Sequence, residues 1–164
     1  MRFLSDAGLT AKTWQPQDTL VLPYTTVLSS DLASAVERAV EAGASVILTP
    51  FTGFFNAEAL FYPVAPGPRL YTLSGVQVQT LATPSGRPAH WEHHAEHLLP
   101  VLRAVAKVEG SILSSTEDGD PLIVATRRVI SFLVDLGTLY ETAAVTEREW
   151  LRRYLDSRLG QLSG

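Results

Sequence analysis

Two threonines whose hydroxyls could act as nucleophiles, Thr49 and Thr52, lie in the segment Thr49-Pro50-Phe51-Thr52-Gly53. This segment comes directly after a short apolar run. A hydroxyl in a turn after a strand acts as a nucleophile only when a base lies beside it. The sequence supplies no such base, and the segment lacks both cysteine and the Gly-x-Ser-x-Gly elbow of hydrolases. The pattern therefore favours a structural turn, and we predict no catalytic residue here.

A second pattern, His93-His94-Ala95-Glu96-His97, matches the inverted zinc-protease motif H-x-x-E-H. On a helix, His93 and His97 would lie one turn apart and could share a zinc ion, with Glu96 as general base. The motif also needs a third ligand from a downstream helix, and Glu147 or Glu149 could serve only if the fold happened to bring one of them close. We favour a solvated face over a metal site, and His93, Glu96 and His97 stay as the alternative.

Other chemistry-bearing patterns are absent from the sequence. Glu117, Asp118 and Asp120 lack the twelve-residue spacing of a calcium loop and are typical of a hairpin turn. The predicted strands end at Pro23 and Pro50, with no glycine-rich phosphate loop. We therefore expect no cofactor.

An aromatic segment follows the second predicted strand and is the strongest candidate site. Large apolar side chains on a loop pack against the domain or against a partner, because their exposure to water is unfavourable. Two interpretations stay open, a small satellite core under the loop and a subunit contact or pocket. The candidate interface or pocket residues are Phe51, Thr52, Phe54, Phe55, Phe61 and Tyr62.

The elements that must position these residues form a strand, a helix and a strand. The runs at residues 19–22 and 45–49 contain β-branched residues and are apolar on both faces, as buried parallel strands are. Between them, a helix is predicted to begin at residues 29–31, which can cap it, and to end at Gly43. Its apolar stripe is Leu32, Ala35, Val36, Ala39 and Val40. Such a unit predicts a right-handed crossover and a parallel sheet.

The remaining chain suggests further elements. We predict a helix within residues 2–9, strands at 11–14, 76–81, 101–108, 111–115, 122–126 and 129–136, and a helical turn at 69–74. Residues 90–99 fit a helix or a strand equally. Thr146 to Glu149 form a capping box that opens a last helix. A doubly wound domain begins with a strand, whereas this chain begins inside a helix, so the first strand is expected to be missing.

Composition bounds the function. The 164 residues are 46% hydrophobic and 18% charged, which is typical of one globular domain, here residues 1–164. The net charge of −4 predicts no nucleic-acid partner, and no apolar run is long enough to cross a membrane. The sequence has no signal-peptide pattern and no cysteine. We expect a cytoplasmic protein.

Several blocks along the chain resemble one known family. They are Asp18 to Pro23, Leu28-Ser29, Ala42 to Thr49, Thr52-Gly53, Pro66-Gly67, Leu73, Gly75-Val76, Gly119 to Pro121 and Leu136 to Thr138. Together they resemble the middle domain of glycoside hydrolase family 42 β-galactosidases, the β-galactosidase trimerisation domain. Asn56-Ala57 and Arg127-Arg128-Val129 depart from the family pattern.

The resemblance implies a fold and a role. The implied fold is α/β, three-layered, flavodoxin-like and related to class I glutamine amidotransferases, with a mostly parallel sheet. The implied role is to pack protomers into a trimer while a separate TIM barrel performs glycoside hydrolysis, and 164 residues cannot also hold that barrel.

We therefore predict a non-catalytic assembly domain in carbohydrate metabolism. Its expected partners are further copies of itself, as a trimer or dimer, or a glycosidase barrel. The alternatives are a stand-alone amidotransferase-like hydrolase or small-molecule-binding protein near residues 49–55, and a zinc hydrolase through the histidine motif.

Overall fold

The structure is a computed structural model that describes residues 4–82, 89–91, 94–96, 103–116, 119–135, 148–149, 152–153 and 156–157. Three helices are described: α1 (Asp6–Thr10), α2 (Ser30–Glu41) and α3 (Gly67–Ser74). The strands are β1 (Thr19–Leu22), β2 (Ser45–Leu48), β3 (Val76–Ala82), β4 (Ala89–Trp91), β5 (His94–Glu96), β6 (Arg103–Val108), β7 (Ser111–Thr116), β8 (Pro121–Ala125) and β9 (Val129–Phe132).

The predicted strand–helix–strand unit is confirmed. Strands β1 and β2 pair in parallel, with Leu20 opposite Val46, and α2 connects them. The Ser29 hydroxyl caps α2 by accepting a hydrogen bond from the Leu32 amide at 3.2 Å. The helix buries four residues of the predicted stripe, Leu32, Ala35, Val36 and Ala39, whereas Val40 is partly buried and packs against the core. Local sequence therefore predicts most of this unit.

The prediction of an α/β, three-layered fold of the flavodoxin or class I glutamine amidotransferase type, with a mostly parallel sheet, is wrong. The main sheet has seven strands in the order β1-β2-β9-β8-β7-β4-β5, and only β1–β2 and β2–β9 are parallel. The other pairs in it are antiparallel, and β3 and β6 form a separate antiparallel pair. The described part of the chain is thus a mixed, mainly antiparallel β-rich structure.

Connection length explains this correction. Parallel neighbours need a crossover of about a dozen or more residues. Only residues 126–128 separate β8 from β9, and residues 117–120 separate β7 from β8. Such short links force each strand to run back along its predecessor, whatever its apolar content.

One apolar core holds the helices against the parallel part of the sheet. All three described helices contribute to it, with Leu9 from α1, Val36 from α2 and Leu70 from α3. The strands contribute alternate residues, among them Leu20, Leu22, Val46, Leu48 and Val129. This core fixes the ends of β1 and β2, from which the candidate loop departs.

Several smaller predictions can be compared with the structure, and their outcomes differ. Residues 11–14 are not a strand: Trp14 is buried in the helix core, and the Lys12 ammonium lies 4.8 Å from its ring centre. Residues 90–99 contain two short strands where they are described. The capping box at Thr146 to Glu149 falls largely outside the described residues, although the backbone is helical at 148–149, 152–153 and 156–157. Among the helices that the structure describes, none has the length and apolar character needed to cross a membrane.

The turn before β1 is stabilised by charge and should respond to pH. The Lys12 ammonium lies 2.9 Å from the Asp18 carboxylate, and this contact, followed by the hydrogen bond from the Gln15 amide, lowers the pKa of Asp18 below its ordinary value of 3.8. A lowered pKa in the folded state stabilises the protein above pH 3.8, and that stabilisation is lost as the pH falls through the folded-state pKa.

We therefore expect Asp18→Asn to unfold more easily than the natural chain at about pH 6, with the difference shrinking below about pH 4. Urea unfolding of both proteins at about pH 6 and again below about pH 4 measures this difference in the free energy of unfolding. Lys12→Gln is the matched control, because it removes the same ion pair from the other side. A difference of constant size at both pH values would contradict the assignment.

Candidate assembly surface

Thr49 and Thr52 hold the carboxyl ends of β1 and β2 together. The Thr49 hydroxyl donates to the Leu22 carbonyl at 2.9 Å and accepts from the Tyr24 amide at 2.6 Å. The Thr52 hydroxyl is buried and lies 2.8 Å from the Thr49 carbonyl and 3.2 Å from that of Leu22. Each hydroxyl is thus committed to backbone groups. This geometry agrees with the structural turn that the sequence indicated.

A small pocket lies beneath this turn. It is partly open to solvent, has a volume of about 30 Å³ and is lined mainly by apolar residues, including Phe51, Phe54 and Phe132. Ser131 also lines it, and the buried Ser131 hydroxyl has no hydrogen-bond partner among the described residues. A volume of this size accepts about one or two water molecules, not a metabolite. The pocket therefore gives no support to the small-molecule-binding alternative.

Residues 55–61 form a tight β-hairpin that leaves the sheet at this point. Phe55 pairs with Val27 on one side and with Phe61 on the other. The Asn56 side-chain oxygen accepts hydrogen bonds from the Glu58 amide at 3.0 Å and the Leu60 amide at 2.9 Å. These bonds close the turn, since an asparagine side chain can replace a backbone carbonyl in this way. The hairpin is thus a fixed part of the domain surface.

The structure separates the predicted aromatic residues into two groups. Phe54 is buried and meets Phe51 edge to face at 5.5 Å between ring centres, with buried Thr52 beside them. Tyr62 is partly buried, and its hydroxyl donates to the Leu28 carbonyl at 3.2 Å. These four residues anchor the loop to the domain, which corresponds to the satellite-core interpretation.

The second group faces solvent. Phe61 is 69% exposed, and its ring contacts that of Phe55 at a tilt of 41°, with 4.2 Å between ring centres. Leu60 next to it is 63% exposed, and Val27 on the neighbouring segment is 45% exposed. We call Val27, Phe55, Leu60 and Phe61 the hairpin surface. Leu60 and Val27 were not predicted from the sequence. Asn56 at the start of a short turn was a signal that a hairpin would expose the residues at its tip.

The histidine motif is only partly described. His93 and His97 lie outside the described residues, and Glu96 ends strand β5, so the described part of the motif is extended instead of helical. On the described residues, no three side chains of His, Cys, Asp or Glu are grouped so that they could hold a metal ion. Glu117 and Asp118 also lie outside the described residues.

The comparison with protein families decides the identity of the domain. Residues 7–98, more than half of the chain, match the family model described as the β-galactosidase trimerisation domain. The chain belongs to this family. The prediction of an assembly domain of the type found in the family 42 β-galactosidases is therefore confirmed.

Solved structures agree with the fold of this trimerisation domain. The β-galactosidase of the psychrophilic Marinomonas ef1 superposes with a TM-score of 0.67 at 20% identity, over 90% of this chain and 21% of that one. Gan42B, a family 42 β-galactosidase from G. stearothermophilus, gives a TM-score of 0.65 at 16% identity, over 85% of this chain and 22% of that one. The β-galactosidase of Rahnella sp. R3 gives a TM-score of 0.64 at 15% identity, over 72% of this chain and 20% of that one.

The trimerisation domain described here spans about a fifth of the length of these β-galactosidases. None of the curated proteins matches its sequence.

Proposed function

We propose that this trimerisation domain joins copies of a larger glycosidase, and that the hairpin surface is the contact between copies. Membership of the family supports assembly as the role, and the similar β-galactosidases are about four times as long as the chain. Residues 1–164 would act as one domain beside a catalytic barrel. The number of copies, a trimer or a dimer, stays a prediction.

The observation that carries this proposal is the exposure of Leu60 and Phe61 on a rigid hairpin. Two large apolar side chains more than 60% exposed would be unfavourable in an isolated domain. Because Asn56 closes the turn and Phe55 pairs with Val27, little conformational entropy is lost when a partner covers Leu60 and Phe61. Exposed aromatic residues of this kind contribute strongly to protein interfaces.

Phe61→Glu tests the proposal, since it places a charge where the partner would exclude water. We expect the dissociation constant for assembly to rise about tenfold or more. Light scattering across a dilution series from tens of micromolar downwards measures it. Ile112→Glu is the matched control, because Ile112 is 51% exposed on β7, away from the hairpin, and should leave assembly unchanged. Equal masses for Phe61→Glu and the natural chain at every concentration would refute the role of the hairpin surface.

A further inference from the structure

An open cleft lies at the opposite end of the parallel strands from the hairpin surface. This is the end where β2 and β9 begin, whereas the hairpin follows the end of β2. The cleft has a volume of about 410 Å³ and lies between the ends of α2 and α3 and the turn that joins β8 to β9. We call it the arginine cleft, and the residues of its walls used below are Val40, Glu41, Leu73, Arg127 and Arg128.

The floor of the arginine cleft is apolar. Val40 and Leu73 are each half-buried and pack against the helix core, to which Val129, also in the lining, belongs. Sites that receive apolar groups have volumes of about 300–1,000 Å³, so two large side chains can enter this cleft together. The pocket beneath the turn at Thr49, at about 30 Å³, is too small to receive them.

The wall formed by the turn between β8 and β9 is positively charged. Arg127 is exposed, and no ion pair joins its guanidinium to another residue in the described part of the chain. Arg128 beside it adds a second positive charge, and Glu41 on the α2 wall offsets one of the two. The cleft therefore keeps a net positive charge, located on the side of the turn, where it attracts a carboxylate.

The hairpin carries the opposite charge beside its apolar side chains. Glu58 is the one charged residue in the sequence from 54 to 66, it is exposed, and its carboxylate forms no ion pair with the residues that the structure describes. Its amide donates to the Asn56 side chain at 3.0 Å, which fixes its position two residues before Leu60. The hairpin thus presents two large apolar side chains and one carboxylate, and the arginine cleft presents an apolar floor and an unpaired guanidinium.

We propose that the hairpin of one copy of this chain docks in the arginine cleft of the next copy. Leu60 and Phe61 then lie on the apolar floor, and Glu58 lies beside the exposed Arg127. The inference rests on the proposed function, because it names the surface that receives the hairpin. The contact joins two different surfaces, and a trimer, the assembly in the family's description, needs such a contact because a patch that contacts itself relates only two copies.

Charge reversal on each surface tests this docking in the full chain. Glu58→Arg and Arg127→Glu each place like charges together at the contact, and we expect each to raise the dissociation constant for assembly about tenfold. The double variant restores an opposite pair with its signs exchanged. We expect it to assemble with a dissociation constant within about threefold of that of the natural chain. Light scattering over the dilution series used for Phe61→Glu measures all three variants.

Lys107→Glu is the matched control for the change in net charge. Lys107 is exposed on β6 and belongs to neither surface, so we expect assembly to be unchanged. Single reversals that weaken assembly without recovery in the double variant would overturn the pairing of Glu58 with Arg127.

The outcomes also separate this inference from the proposed function. If Phe61→Glu weakens assembly while both charge reversals leave it unchanged, the hairpin docks elsewhere and the cleft has another occupant. That result would overturn the inference and leave the proposed function intact. If Phe61→Glu itself leaves assembly unchanged, the proposed function fails and the docking fails with it.

Discussion

Phe132→Ala is expected to destabilise the domain by about 3–5 kcal/mol. Phe132 is 2% exposed and lies in β9, the strand at which the parallel and antiparallel halves of the sheet meet. It lies opposite Ile123 of β8, which is 0% exposed, so truncation to alanine would leave a cavity between packed strands. The expected fall in the free energy of unfolding is the sum of two terms, the lost hydrophobic burial and the cost of that cavity.

Urea unfolding monitored by circular dichroism measures this effect. The matched control is Phe61→Ala, the same change of side chain at a position 69% exposed, which we expect to alter the free energy of unfolding by less than about 0.5 kcal/mol. The pair also separates the two roles of phenylalanine in this domain, stabilisation at 132 and contact at 61. A loss of equal size in both variants would contradict the described packing of β9.

Gly110→Ala is expected to cost about 1–3 kcal/mol because the added methyl group overlaps backbone atoms. An alanine Cβ at this position would lie 2.7 Å from the Ala125 carbonyl oxygen and 2.9 Å from a methyl group of Val124. The turn cannot shift away easily, since the neighbouring Glu109 amide donates to the Gly75 carbonyl at 2.7 Å. Glycine is therefore required by close approach to β8.

Thermal unfolding measures this second effect, as a fall in the midpoint of roughly 2–12 °C for a chain of this size. Gly8→Ala is the control: it lies in α1, and its added Cβ would approach no atom closer than 3.4 Å. We expect that variant to be neutral or slightly more stable, because alanine restricts the unfolded chain. A midpoint for Gly110→Ala equal to that of Gly8→Ala would contradict the close packing of residues 109–110 on β8.

Elements that depend on local sequence were predicted well. The cap at Ser29 and the buried stripe of α2 follow from residue spacing, and the structure confirms both. Strand β1 and the start of β2 were predicted to the residue. The failure at residues 11–14 has a different origin. A strand forms only with a neighbour, and in the described structure this stretch packs Trp14 into the helix core instead.

The candidate site was predicted in part. The sequence located the aromatic segment, but it did not show that Phe54 is buried and Phe61 is exposed. That division depends on the hairpin closed by Asn56 and on the pairing of Phe55 with Val27, a contact between segments far apart in the chain. Periodicity within one segment carries no information about such a contact.

The sequence by itself determined the βαβ unit, the turn chemistry around it and the family, because each of these depends on residues close together in the chain. Only the tertiary structure decided the direction of β7, β8 and β9 and the side chains that the hairpin exposes. The physical reason is that apolar runs specify burial, whereas strand direction and edges follow from which strands become neighbours. That choice is made by the packing of the whole chain and by the lengths of the links between strands.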